Sequence, residues 1–191
     1  FLSQDEKHWF RKSSTLMLIN LDKLDQAKSE MKATLEITIS DERGYDCTWW
    51  CFDEFLQALE RKGKLFLATD WVNSIEENWI KDKFLTEISL KLIQKAQLSE
   101  SLVSARGIKE KCEKVSTLAS ISSFLFREGQ LLEAELIMNE AFELILDMDD
   151  NYSGKSVAIK NICAELTYQE KWSDCKSLLL DSISSSRIIL D

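Results

Sequence analysis

Leucine recurs at positions 18, 59, 92, 125 and 166, and around each copy apolar and polar positions follow one order. Six residues after each leucine the chain places Leu24, Leu65, Leu98, Leu131 and Trp172, all apolar. Nine after it stand Ala27, Ala68, Ser101, Ala134 and Cys175, all small; three before it stand Thr15, Leu56, Ser89, Ser122 and Cys163, of which only Leu56 is bulky. The steps between copies are 41, 33, 33 and 41 residues. They predict a repeating unit of 33 residues with eight extra residues in two connections. The polar stretches SDERGYDC (Ser40 to Cys47) and DMDDNYSG (Asp147 to Gly154) supply the extensions, because turn-forming residues collect there.

Within each unit the pattern reads as helix, tight turn, helix. Val115, Leu118, Ile121, Ser122 and Leu125 lie at helical spacing in the stretch from Lys114 to Glu128, and a partner helix is predicted from Leu131 to near Leu146. Gly63 and Gly129 stand where a helix end needs a left-handed residue. Asp22, Ala96 and Glu170 occupy that place in the first, third and fifth units, where turns of another kind are expected. SQDE (Ser3 to Glu6) has the spacing of a capping box and predicts a helix start near Gln4. The stretch REGQLLEAELIMNEA (Arg127 to Ala141) is too apolar for one buried face. Small residues at Ser122 and Ala134 would let two helices approach, leaving other apolar residues of the second helix to face the next hairpin. The expected fold class is therefore all-α: an α-solenoid of about five helix-turn-helix repeats, spanning 1–191 as one repeat domain with units near 4–40, 45–78, 79–109, 110–148 and 152–189.

Composition narrows the functions. The chain has no proline and five glycines, which favours long helices over strand-rich folds. A net charge of −9 argues against nucleic acid as a partner, since phosphate recognition needs clustered Lys and Arg. Five scattered cysteines, an odd number, fit reduced thiols in a cytoplasmic compartment, with a secreted effector as the other possibility. No apolar run approaches the roughly 18 residues needed to span a bilayer, so no membrane partner is expected. The chain begins at Phe1 and is expected to be a segment of a longer protein.

The order of small residue, leucine, glycine, apolar residue and small residue on a two-helix unit resembles the tetratricopeptide repeat. The likeness is closest from Ser116 to Leu144, where Leu118, Ile121, Ser122, Leu125, Gly129, Leu131, Ala134, Met138 and Ala141 sit where that family has apolar or small residues. It extends along nearly the whole chain as a helix pattern, without the closing proline and with bulky Leu56, Ile75 and Ile108 at positions the family keeps small. A looser likeness is to long helical-repeat proteins of intracellular bacteria. The resemblance implies a right-handed α-solenoid and a non-catalytic scaffold that binds a peptide or protein surface in a groove lined by the first helix of each repeat.

Helical geometry selects that face independently. Positions two, six and nine before the leucine column lie far round the helix from it. They are Trp9, Lys12 and Leu16; Trp50, Asp53 and Gln57; Lys83, Thr86 and Leu90; Ser116, Ala119 and Ser123; and Val157, Lys160 and Ala164. Trp9 and Trp50 are equivalent, and aromatic side chains are frequent binding anchors, although each could instead pad a curved inner surface. The set holds three lysines, no arginine and no asparagine, which disfavours a clamp for a terminal carboxylate and favours a mixed apolar and acidic ligand surface.

Catalytic and metal chemistry find little purchase, and no enzyme activity, metal or cofactor is expected. His8 is the only histidine. Cys47 and Cys51 could share a helix face as half a metal site, but no second pair has suitable spacing. The glycines stand singly at 44, 63, 107, 129 and 154, so no phosphate-cradling loop exists. DMDDNYSG lacks the ligand spacing of a calcium loop. Trp49, Trp50, Phe52, Phe55, Phe66, Trp71, Trp79 and Phe84 read mainly as helix core, and adjacent Trp49 and Trp50 cannot both point inward. The alternative to a scaffold is self-association through terminal helices, since Ile183, Ile188, Ile189 and Leu190 are apolar where a capping end should be polar.

Overall fold

The computed structural model describes residues 4–39, 44–148 and 153–168, and among them every regular element is a helix. In chain order these are α1 (Gln4–Asn20), α2 (Leu24–Ile39), α3 (Gly44–Arg61), α4 (Leu67–Asn73), α5 (Asn78–Gln94), α6 (Leu98–Gly107), α7 (Lys111–Arg127), α8 (Leu131–Leu146) and α9 (Ser153–Tyr168). Ser3 of the capping box, the side chains of His8 and Cys47, and the fifth unit beyond α9, including Glu170, Trp172, Cys175 and the apolar stretch at 183–190, lie outside the described residues. The chain divides into two compact units, Phe1–Glu77 and Asn78–Asp191.

In the first unit α1 pairs with α2, and α3 packs against both and is followed by α4. In the second, α5 pairs with α6 and α7 with α8, while α7 also packs on α5 and α9. The hairpin partners meet at the small residues. Ser122 Oγ donates to Ala134 O at 2.6 Å, and Ser101 Oγ donates to Ser89 O at 2.8 Å. All four residues are buried. A larger side chain at either crossing would push the backbones apart and orphan the hydroxyl that bonds across it.

The recurrent leucine has a backbone role as well as a packing one. Its carbonyl accepts from the amide five residues on: Lys23 N–H to Leu18 at 2.9 Å, Lys64 to Leu59 at 2.9 Å, Gln97 to Leu92 at 3.0 Å and Gln130 to Leu125 at 2.9 Å. Inside each of these bonds a second closes, from Asp22 to Ile19, Gly63 to Glu60, Ala96 to Ile93 and Gly129 to Phe126. This is the Schellman closure, which requires a left-handed residue one place before the outer donor. Asp22 (φ 58°), Gly63 (φ 67°), Ala96 (φ 57°) and Gly129 (φ 77°) all supply it. The expectation of different turns at Asp22 and Ala96 is therefore wrong. Satisfying the last carbonyls of the first helix outweighs the Cβ strain of about 1–2 kcal/mol. At Asp22 the hydrogen bond from Lys64, with Lys62 also near, lowers the carboxyl below its usual range and ties two turns of the first unit together.

Ala96 thus carries strain that its glycine counterparts avoid. Ala96→Gly is expected to stabilise the fold by about 1 kcal/mol, and Gly129→Ala to destabilise it comparably through backbone strain, since nothing lies within 4 Å of the added Cβ. Urea unfolding followed by far-ultraviolet circular dichroism checks both; a lower midpoint for Ala96→Gly would contradict the assignment.

Leu59, Leu92, Leu125 and Leu166 are fully buried, whereas Leu18 is half-buried on the first helix. The bulky residues Leu56, Ile75 and Ile108 are core residues too. The second helix of the second hairpin is short: α4 stops at Asn73, where the Ser74 hydroxyl bonds Trp71 O at 2.6 Å and competes with helix continuation. The connection into α7 is held by two carboxylates. Asp82, buried on α5, accepts from the Lys109 and Glu110 amides at 3.0 and 2.9 Å, and Glu110 accepts from Cys112 and Glu113 at 3.1 and 2.6 Å. Amides that begin a helix have no intrahelical acceptor, so these side chains fix where α7 starts.

Candidate partner-binding faces of the first helices

The residues opposite the leucine column separate into exposed and covered sets, because neighbouring first helices pack on part of that face. In the first unit Trp9 and Trp50 are 65% and 59% exposed, on α1 and α3 respectively. Leu16 and Asp53 are half-buried, and Gln57 is exposed and donates to Asp53 at 2.7 Å. Lys12, by contrast, is only 6% exposed. Its ammonium sits 3.6 Å from the centroid of the Trp50 ring and bonds the Glu54 carboxylate at 3.1 Å. A buried cation needs such a partner, and this one joins α1 to α3. Lys12 therefore acts as a clasp between first helices, and one face of the Trp50 ring is already occupied.

The second unit repeats the theme with different chemistry. Lys83 donates to Glu113 at 2.8 Å, and Thr86 lies 3.2 Å from the same carboxylate and 3.0 Å from the Thr117 hydroxyl, joining α5 to α7. Asn161 donates to Ser116 Oγ at 2.7 Å, joining α9 to α7. Ala119 and Ser123 are buried and cannot meet a ligand as they stand, and Ser123 Oγ has no hydrogen-bond partner among the described residues. Leu90 is half-buried, while Val157, Lys160 and Ala164 are exposed. A helical wheel alone treats all these positions alike; the packing of α5 on α7 and of α7 on α9 distinguishes them.

Glu54, Glu113 and Asn161 complete these clasps and were not singled out from the sequence. A signal was present: Glu54 adjoins Asp53, the counterpart of Lys12 one repeat on, Glu113 lies three residues before Ser116, the counterpart of Lys83, and Asn161 four after Val157, the counterpart of Ser116. Of the aromatic set read mainly as core, Phe52, Phe55, Trp71 and Phe84 are buried; Trp49 is half-buried and its neighbour Trp50 exposed, as two adjacent helical positions require. Phe66 and Trp79 are exposed, so the core reading is wrong for these two.

Cys51 is buried, and Cys112 and Cys163 are half-buried. Burial, with the Glu110 and Glu113 carboxylates nearby, pushes the Cys112 thiol up, which lowers its thiolate population at neutral pH. No described helix is long and apolar enough to cross a membrane. Comparison with protein-family models, curated proteins and solved structures gives no match to this chain.

Proposed function

We propose that this chain is a non-catalytic protein-interaction scaffold, a tetratricopeptide-like right-handed α-solenoid of about five hairpins that binds a peptide or protein surface on the faces of its first helices. The observation that carries the reading is the pair of exposed tryptophans, Trp9 and Trp50, at equivalent repeat positions. Large aromatic side chains left in water on ordered helices are costly to the folded chain and valuable to a complex, which is why they concentrate at interaction hot spots. The four identically closed turns and the order of helix contacts within each unit support the repeat. On the first unit the exposed Trp9 and Trp50 rings suit apolar residues of a helix or extended peptide, and on the second unit the exposed Lys160 suits acidic or neutral ones.

Trp9→Ala with Trp50→Ala tests this. Removing Trp50 also removes its contact with Lys12, worth about 0.5–1 kcal/mol, so helix content and the urea midpoint should remain near those of the parent chain. Proteins retained from a native lysate by the parent chain should be lost by the double variant. Unfolding of the variant would assign the tryptophans to structure, and undiminished retention would remove them from the binding face.

A second reading, self-association through the terminal helices, is favoured by Phe10 and Met17, both exposed on α1. Sedimentation of the chain at high concentration separates it: a strict monomer contradicts it.

A further inference from the structure

The helix α8 has two apolar sides, and among the described residues only one is buried. Ala134, Ile137, Met138, Ala141 and Ile145 are buried in the core of the second unit. On the opposite side Leu132, Leu136 and Leu146 are 75%, 70% and 69% exposed. At about 100° per residue, these leucines form one stripe with Asn139 and Glu143 between them. Surface leucines scattered singly need no explanation, but three on one helix face opposite the core do.

The charges around the stripe say what could cover it. Between Leu131 and Leu146 the helix carries Glu133, Glu135, Glu140 and Glu143 and no Lys or Arg. Glu140 is held by Arg106 in a two-pronged pair at 2.9 and 2.7 Å. Glu133, Glu135 and Glu143 have no cation in ion-pair reach among the described residues. A second copy of the chain, at net charge −9, would bring like charge to this face. The chain's own residues 169–191 contain four acidic and three basic side chains and offer no positive balance. We propose that the outer face of α8 is a second docking surface, distinct from the first-helix faces, for a basic amphipathic helix that lays an apolar stripe over Leu132, Leu136 and Leu146 with Lys or Arg against the flanking glutamates.

The probe is a designed leucine–lysine peptide with leucines at helical spacing, titrated as a labelled helix into the full 191-residue chain and read by fluorescence anisotropy. Its leucine–glutamate counterpart should not bind. Leu132→Ser with Leu136→Ser should weaken binding at least tenfold with helix content unchanged, because both side chains already lie in water. Glu133→Gln, Glu135→Gln and Glu143→Gln together should weaken it severalfold and flatten its salt dependence, while Leu21→Ser, an exposed leucine in the other unit, should change nothing. Four results would overturn the proposal: no binding by the parent chain, equal binding of the two peptides, insensitivity to the leucine and glutamate variants, or a parent chain that sediments as an oligomer broken by Leu132→Ser and Leu136→Ser.

Discussion

Leu125→Ala is expected to destabilise the chain by about 2–5 kcal/mol, with Leu59→Ala, Leu92→Ala and Leu166→Ala in the same range and Leu18→Ala clearly below it. Each of the four large effects combines lost apolar burial with a cavity that close-packed helices cannot collapse into. Leu125 belongs to a core with Val115, Leu118, Ile121, Ala134 and Met138, all buried, so its methyl groups have contacts on every side. Leu18 keeps access to water and leaves a smaller void. The Schellman bonds to the carbonyls of Leu18, Leu59, Leu92 and Leu125 survive these substitutions, because alanine keeps the backbone acceptor. Urea unfolding of the series, followed by circular dichroism, provides the check. A flat series, or one in which Leu18 costs most, would mean that the leucines do not share one packing role.

The next largest effect is expected at Asp82. Asp82→Ala removes the acceptor of the Lys109 and Glu110 amides and should cost about 1–3 kcal/mol. The loss is moderated because these two residues are themselves partly in water. Asp82→Asn keeps one carbonyl oxygen but turns an NH₂ toward an amide donor, so it should recover only part of the loss. Hydrogen exchange adds a local readout: amides of the first turn of α7 should exchange faster in Asp82→Ala than in the parent chain. Both variants falling within about 0.5 kcal/mol of the parent, the range of ordinary surface changes, would show that the carboxylate does not hold this connection.

The elements that were legible in the sequence are those written in side-chain periodicity. The boundaries of α8 follow from the spacing of apolar residues and the polar residues that interrupt it. The hairpin crossings follow from the small residues, since only a small side chain permits the approach that the Ser122 and Ser101 hydroxyls bridge. The turns were harder to read because glycine is sufficient for a left-handed residue but not necessary. Asp22 and Ala96 adopt that conformation because the two closing hydrogen bonds are available in every hairpin. The expected loop from Ser40 to Cys47 already contains the first turn of α3, which begins at Gly44. A polar first turn and a loop look alike when each is read only by composition.

The candidate faces were legible in direction but not in occupancy. Geometry placed Trp9, Lys12 and Trp50 on the side away from the leucine column, and the two rings are indeed exposed there. Whether a residue on that side meets water or the next first helix depends on partners distant in sequence. Lys12 is paired with Glu54, and Thr86 with Glu113 and Thr117. The same limit applies to α8. Its excess of leucine was evident from the sequence, but that three of those leucines face water opposite the core required coordinates.

The central claim is that one hairpin, closed in one way, is repeated along the chain. Amide hydrogen exchange, resolved residue by residue, tests it most directly. The amides of Lys23, Lys64, Gln97 and Gln130, each bonded to a repeat leucine, should all be protected. Those of Asp25, Ser99 and Leu132, in the first turn of the helix that follows, should exchange quickly because such positions have no intrahelical acceptor. Rapid exchange at Lys23 or Gln97, where no glycine makes the turn easy, would contradict the common closure and with it the repeat.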